Sequence, residues 1–379
     1  MKLYLVAGEA SGDARGAELM RALHARDAAL EFFGAGGREM RALGGEHFTD
    51  WADEAVVGLW DVLKKYGYFK AQFRRMLANI ARVQPHALVL IDYPGFNLRL
   101  AQAVKRALPA VRIIDYNSPQ VWAWHRGRIP KMARYLDLML CIFPFELPLY
   151  AGSGLRAVFT GHPMLDSLAA KRTGTPREPG LVGLFPGSRE KEVRKIFPVM
   201  VQAAQRMKAA RPALRFEAAA ASHQLADMML ATLRQFGESE DVCPVTVRRS
   251  HELMQRATAG IVCSGTATLE AAFFGLPLCI VYKVAALTWI VGKRLVKAPF
   301  LGMPNVLAGR EIAREFLQGE ATPEALADET LRLLADPAAR AQLQRDLAAV
   351  ITQLGDHGAA ERAADAILGE LTANLHPRF

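Results

Sequence analysis

From Lys2 to Tyr282, short apolar runs alternate with longer segments of helical period, and this alternation restricts the fold more than any single motif. KLYLVA, EFFGAG, ALVLID, VRIIDY, LMLCIF and AVFTG in the first half have the length and unbroken apolar character of strands buried on both faces. LVGLFPGSR, LRFEAAA, PVTV, AGIVCSG and PLCIVYK repeat the pattern in the second half. Segments such as 13–26, 96–107 and 126–136 between them carry helical periodicity. Strands alternating with helices predict an α/β protein with parallel sheets covered on both faces. The polar stretch KRTGTPREPG at 171–180 interrupts the pattern and reads as a linker. Two Rossmann-like domains are therefore expected, 1–170 and 181–350. The Ala-, Leu- and Arg-rich residues 321–373 read as helices that pack back across both, with 351–379 a candidate to return to the first.

A chain of 379 residues is long enough for two domains that each bury a full core. Hydrophobic residues at 51% against charged residues at 22% argue against disorder. The net charge of +9 favours an anionic partner, such as a nucleotide, a phosphorylated small molecule, nucleic acid or an anionic membrane. Cys141, Cys243, Cys263 and Cys279 show no C-x-x-C spacing and suit a reducing cytoplasmic compartment. The opening MKLYLVAGEASGD is too short in apolar residues for a signal peptide. The longest apolar stretch, cut by Lys283, falls short of the roughly 20 residues a spanning helix needs.

Sites on open parallel sheets form outside the carboxyl ends of the strands, so the loops after each apolar run carry the chemistry. Residues 263–277, CSGTATLEAAFFGLP, read as a strand end, a Gly-Thr turn and a helix start. Unpaired N–H groups there, with Ser264, Gly265, Thr266 and Thr268, suit a phosphate, and Glu270 one turn later can accept from ribose hydroxyls. Ser264 and Thr266 could equally serve only as helix caps. The loop Phe185-Pro186-Gly187-Ser188-Arg189 offers N–H donors beside a guanidinium, a clamp for a diphosphate. Lys191 to Lys195 read as a solvated helix face.

In the first half, the loop Gly8 to Asp13 lacks G-x-G-x-x-G spacing, which disfavours a nicotinamide cofactor. Ser11 or Asp13 reads as a helix cap. Asp92, in Asp92-Tyr93-Pro94-Gly95, is a carboxylate at a strand end and a candidate general base, with a turn-forming role as the bland alternative. His24, His86, His125 and His162 have no spaced partner that suggests a metal or a triad.

Residues 59–76 and 287–303 interleave Trp60, Phe69 and Trp289 with cations such as Lys70, Lys293 and Arg294. That mixture suits a bilayer headgroup region, stacks nucleic-acid bases, or makes a core-facing helix with a basic outer face.

Together these segments resemble the lipid-A-disaccharide synthase family of GT-B glycosyltransferases, in which two Rossmann-like domains face a cleft. The resemblance rests on AGEASGD, IDYPGFN, NSPQVWAWHRGRIPKMAR at 117–134, LCIFPFE at 140–146, FTGHPMLD at 159–166, LFPGSRxxEV at 184–193, the 263–277 segment and KRLVKAPFLGMPNVLAGRE at 293–311. Where some members carry an acid after the Pro of the Asp92 loop, this chain has Gly95, so a role for that acid does not transfer. The resemblance implies transfer of 2,3-diacylglucosamine from UDP-2,3-diacylglucosamine to the 6-hydroxyl of 2,3-diacylglucosamine 1-phosphate, giving a β-1,6 disaccharide by inversion. It implies Asp92 as base, with Glu9 and Asp13 as rivals or acceptor-positioning groups. Gly187, Ser188, Arg189, Ser264, Gly265, Thr266, Thr268, Glu270 and Asn305 would hold the nucleotide. Ser11, Gly12, Trp122, His125, Arg126, Trp60, Phe69, Trp289, Lys293 and Arg294 would face acceptor or lipid at the cytoplasmic leaflet of the inner membrane. No cofactor, metal or nucleic acid is expected, and a homodimer is left open. The alternatives are another UDP-sugar enzyme of this fold, such as a UDP-N-acetylglucosamine 2-epimerase or cell-wall transferase, and a basic membrane- or nucleic-acid-binding protein.

Overall fold

The structure, a computed structural model, describes residues 1–51, 66–123, 126–285, 289 and 298–373. The chain divides into two compact units, 1–163 with 355–379 and 164–354.

In the first unit the strands are β1 (Lys2–Ala7), β2 (Glu31–Gly36), β3 (Phe48–Asp50), β4 (Ala87–Ile91), β5 (Arg112–Tyr116), β6 (Leu138–Cys141) and β7 (Arg156–Phe159). They form one parallel sheet in the order β3-β2-β1-β4-β5-β6-β7. Leu88, Val89, Leu90 and Ile91 are inaccessible to solvent, as a strand covered by helices on both faces requires. One face packs on the Ala10–Arg26 helix and on the Ala359–Thr372 helix from the far end of the chain, whose Ala363, Ala364, Ile367 and Leu371 join that core. Arg156 to Glu370 at 2.9 Å, and the Arg362 guanidinium donating to the Thr160 carbonyl at 2.8 Å, hold that last helix in place. The other face carries the Tyr66–Val83 and Pro94–Ala107 helices.

The second unit has β8 (Glu178–Phe185), β9 (Arg215–Ala220), β10 (Val245–Val247), β11 (Ala257–Cys263), β12 (Leu278–Tyr282) and β13 (Glu315–Leu317), parallel in the order β10-β9-β8-β11-β12-β13. β8 begins at Glu178, so the last residues of the stretch read as a linker are strand. β3 and β13 carry no strand signature because each is a three-residue edge, FTD and EFL, too short to show a period.

Each sheet reverses its strand order once, between β1 and β4 and between β8 and β11. Connections leave such a point in opposite directions, so in each unit by itself the loops after the two strands at the reversal border a crevice. Those loops are Gly8–Asp13, Asp92–Gly95, Pro186–Arg189 and Ser264–Thr266.

Candidate active site

In the first unit Ala7 and Ile91 are register partners, so the Gly8 and Asp92 loops emerge side by side. Asp92 and Tyr93 both adopt left-handed backbone, φ +55° and +45°, a conformation that costs a non-glycine residue of order 1–3 kcal/mol. The neighbouring glycines make room for them. A Cβ on Gly8 would lie 2.7 Å from the Tyr93 ring, and one on Gly12 would lie 3.3 Å from the Asp92 carboxylate. Buried Asn97 donates to the carbonyls of Ile91 and Asp92 at 3.3 and 2.8 Å, and Trp51 stands edge-on to Tyr93.

The Asp92 carboxylate accepts from the Arg15 guanidinium on Oδ2 and from the Asn117 side-chain amide on Oδ1. Its side chain remains 12% exposed. Asn117 follows β5 as Asp92 follows β4, is also left-handed (φ +83°), and donates its own N–H to the Leu140 carbonyl at 3.1 Å. Behind the pair lies a buried titratable cluster. Burial, then the charge of Asp92, raises Asp115 well above the usual carboxylate range, and its Oδ2 has no hydrogen-bond partner among the described residues. Burial pushes Glu146 up to about 8, although the Phe143 N–H donates to it at 3.2 Å. Burial, and next the Arg15 charge, pulls His162 down to about 3. The hydroxyls of Ser118 and Tyr150 meet at 2.7 Å.

The rival acids behave differently. Asp13 is buried and accepts from the backbone N–H groups of Gly37, Glu39 and Met40 at 2.7, 2.8 and 3.0 Å. It therefore anchors the start of the Arg38–Gly44 helix, with three backbone N–H groups on its carboxylate. Glu9 is half-buried at the start of the Ala10–Arg26 helix without capping it, and its charge reaches Tyr93. Ser11 is exposed and Gly12 buried.

Phe69, expected to meet lipid, packs with Phe73 and Leu77 against the core; the ring belongs to the apolar face of its helix. Trp122 is half-buried, edge-on to Phe145 at 5.5 Å, with an indole N–H that has no partner among the described residues. Arg126 is exposed and Trp289 half-buried. Trp60, His125, Lys293 and Arg294 lie outside the described residues.

In the second unit the β8 loop turns through Gly187 at φ +110°, where a Cβ would meet the Glu192 carboxylate at 2.5 Å. Glu192 accepts from the N–H groups of Ser188 and Arg189, both at 3.2 Å, and from the Arg189 guanidinium at 2.8 Å. It is a capping residue of the Glu190–Ala210 helix, so its place among solvated charges at 191–195 is corrected. The Arg189 side chain stays 69% exposed.

After β11, Gly265 and Thr266 are exposed at the start of the Thr266–Phe273 helix. Ser264 donates to the Leu301 carbonyl at 2.9 Å. Thr268 is wholly buried, its hydroxyl donating to the Gly265 carbonyl at 2.7 Å, so it shapes the turn. Glu270 lies 3.3 Å from Nε2 of His251, a neighbour the sequence did not single out. Asn305, expected in the nucleotide pocket, is fully buried and fully used. It donates to the Ala313 carbonyl and Glu315 carboxylate at 2.7 and 2.8 Å and accepts from the N–H groups of Ile312 and Ala313 at 2.8 and 3.0 Å. Glu315 in turn accepts from the N–H groups of Leu301 and Gly302 at 2.9 Å each. Asn305 thus fixes the segment against which Ser264 rests.

Arg15, Asn117, Asp115, Glu146, Glu192 and His251 are neighbours of the expected residues that residue-level reading did not single out. The rule that chemistry follows strand ends would have reached Asn117; Arg15, inside a helix, reads as a solvated cation.

Among solved structures, S. aureus MnaA with UDP is similar at TM-score 0.64 and 12% identity, covering 99% of this chain and 96% of that one. MurG of Acinetobacter baumannii is similar at TM-score 0.58 and 13% identity, covering 97% and 99%. With its two parallel sheets and strand-end loops, the chain has the fold of the GT-B glycosyltransferases. A relative from Trichlorobacter lovleyi, a lipid-A-disaccharide synthase, is 43% identical over 377 residues, 97% of each chain. The family model described as lipid-A-disaccharide synthetase matches residues 3–369, and the chain belongs to that family.

Proposed function

We propose that this chain transfers 2,3-diacylglucosamine from UDP-2,3-diacylglucosamine to the 6-hydroxyl of 2,3-diacylglucosamine 1-phosphate, releasing UDP and a β-1,6-linked disaccharide 1-phosphate. The observation that carries the reading is Asp92, a partly accessible carboxylate held in strained backbone at the point where the sheet order reverses. In a single inverting displacement Asp92 takes the proton of the 6-hydroxyl while that oxygen attacks the anomeric carbon on the face opposite the phosphate. The leaving UDP is already an anion, so stabilising its charge replaces a strong acid. Arg189, whose side chain is mostly exposed, and the N–H groups at Gly265–Thr266 supply that stabilisation, and Glu270 accepts from the ribose hydroxyls. The UDP in the structure of MnaA supports a nucleotide in this fold.

Both substrates carry acyl chains, and the net charge of +9 suits the anionic cytoplasmic leaflet. No helix among the described residues is long and apolar enough to cross a membrane, so the proposed association is peripheral. Vesicles containing phosphatidylglycerol should sediment the protein at low salt and release it as salt rises. Equal sedimentation with purely zwitterionic vesicles would remove the electrostatic part of this reading.

The decisive assay is UDP release from UDP-2,3-diacylglucosamine in detergent with EDTA, with and without 2,3-diacylglucosamine 1-phosphate. Acceptor-dependent release and a disaccharide phosphate by mass are expected. UDP binding without transfer, in EDTA and in Mg²⁺ alike, would point to a different UDP-sugar reaction.

A further inference from the structure

The Asp92 carboxylate has about four lone-pair sites, and the two donors beside it occupy one on each oxygen. We propose that Arg15 and Asn117 are positioning residues that hold the Asp92 carboxylate in one orientation, leaving one lone pair on each oxygen for the acceptor hydroxyl. The inference rests on the reading of Asp92 as base. Three observations converge on it. Asp92 and Asn117 are both left-handed residues directly after neighbouring strands, so the backbone aims their side chains at one another. Gly12 brings the Ala10–Arg26 helix, and with it Arg15, against the same carboxylate. The Arg15 side chain is only 17% exposed and its Nε is buried with no acceptor among the described residues, so its charge is spent locally on Asp92.

The charged and titratable groups around Asp92 come from every neighbouring element. Arg15 faces it from the first helix, Asp115 from β5, Glu9 from beyond Tyr93, and His162 from behind Arg15. In the reaction the hydroxyl proton moves to Asp92, the hydroxyl oxygen bonds to the anomeric carbon, the bond from that carbon to phosphate breaks, and its electron pair leaves with UDP. Asp92 then returns the proton to solvent, and Arg15 and Asn117 exchange nothing.

The test compares Arg15→Met, Arg15→Lys, Asn117→Ala and Asp92→Asn in the full chain, reading kcat, KM and UDP affinity. Arg15→Met and Asn117→Ala should each lower kcat about tenfold, with KM and UDP affinity unchanged. Arg15→Lys, which keeps a donor beside the carboxylate, should recover part of that loss. An inactive Asp92→Asn together with parental kcat in Arg15→Met or in Asn117→Ala, or with a loss that falls on KM and leaves kcat parental, overturns the positioning roles alone. An active Asp92→Asn overturns the base itself. Should Arg15→Met lack a cooperative thermal transition, Arg15→Lys and Asn117→Ala decide: parental kcat in both defeats the proposal.

Discussion

Glu146 is an acid folded away from water, and its protonation links the stability of the first unit to pH. Burial pushes it up to about 8 from an ordinary value of 4.5. Between those values the folded chain keeps a proton that the unfolded chain has released, so this group's contribution falls as pH rises through the window. His162 has the opposite sign. Held down at about 3 from 6.5, it is neutral in the folded chain while the unfolded chain still binds its proton, so its contribution grows as pH rises from about 3 to 6.5. Glu146→Gln keeps the shape and removes the titration. Its urea midpoint should gain on the parent steadily from pH 5 to pH 8; parallel curves would show that Glu146 is not the titrating group. Neither acid of this cluster is legible from residue type, because Asp115 sits inside an apolar strand and Glu146 follows Pro-Phe as a surface turn would. Asp92 stands out in the sequence because it ends an apolar run at once, as Asn117 does after the next strand, whereas Arg15 lies inside a helix and meets Asp92 only through the fold.

At the scale of elements, the strand-end loops of the second unit are tied down by side chains from neighbouring segments. Glu192 ties the β8 turn to its helix, and Asn305 with Glu315 ties the 301–305 segment to β13. Replacing Asn305 with Leu leaves a buried carbonyl and two buried N–H groups without partners. A loss of about 2–4 kcal/mol is expected from urea unfolding. UDP affinity should fall as well, through the Leu301 carbonyl on which Ser264 rests. Full stability with weakened UDP binding would instead return Asn305 to the pocket itself. The strands of both sheet interiors could be read almost residue by residue, since burial on both faces writes them as continuous apolar runs. The edges β3 and β13 could not, and neither could the capping carboxylates, whose partners are backbone groups that composition does not display.

On the scale of the whole molecule, the first unit is discontinuous in sequence. Its core on the β1–β4–β5 face is closed by Ala363, Ala364, Ile367 and Leu371, while residues 164–354 form the second unit. Ile367→Ala removes buried methylene groups from the first unit alone and should cost about 2–5 kcal/mol there. Thermal unfolding should therefore split, with one transition lowered, while UDP affinity, assigned to the second unit, stays parental. A single transition lowered as a whole, with UDP binding lost in step, would mean that the two units unfold together.

The return of the last helix also sets an order of birth. A growing chain emerges from the ribosome with residues 1–163 first, yet these cannot finish their core until residues 355–372 have followed. Meanwhile residues 164–354 are complete and contiguous. The half of the protein made first is thus the half completed last, because Ala363, Ala364, Ile367 and Leu371 of its core are among the last residues synthesised.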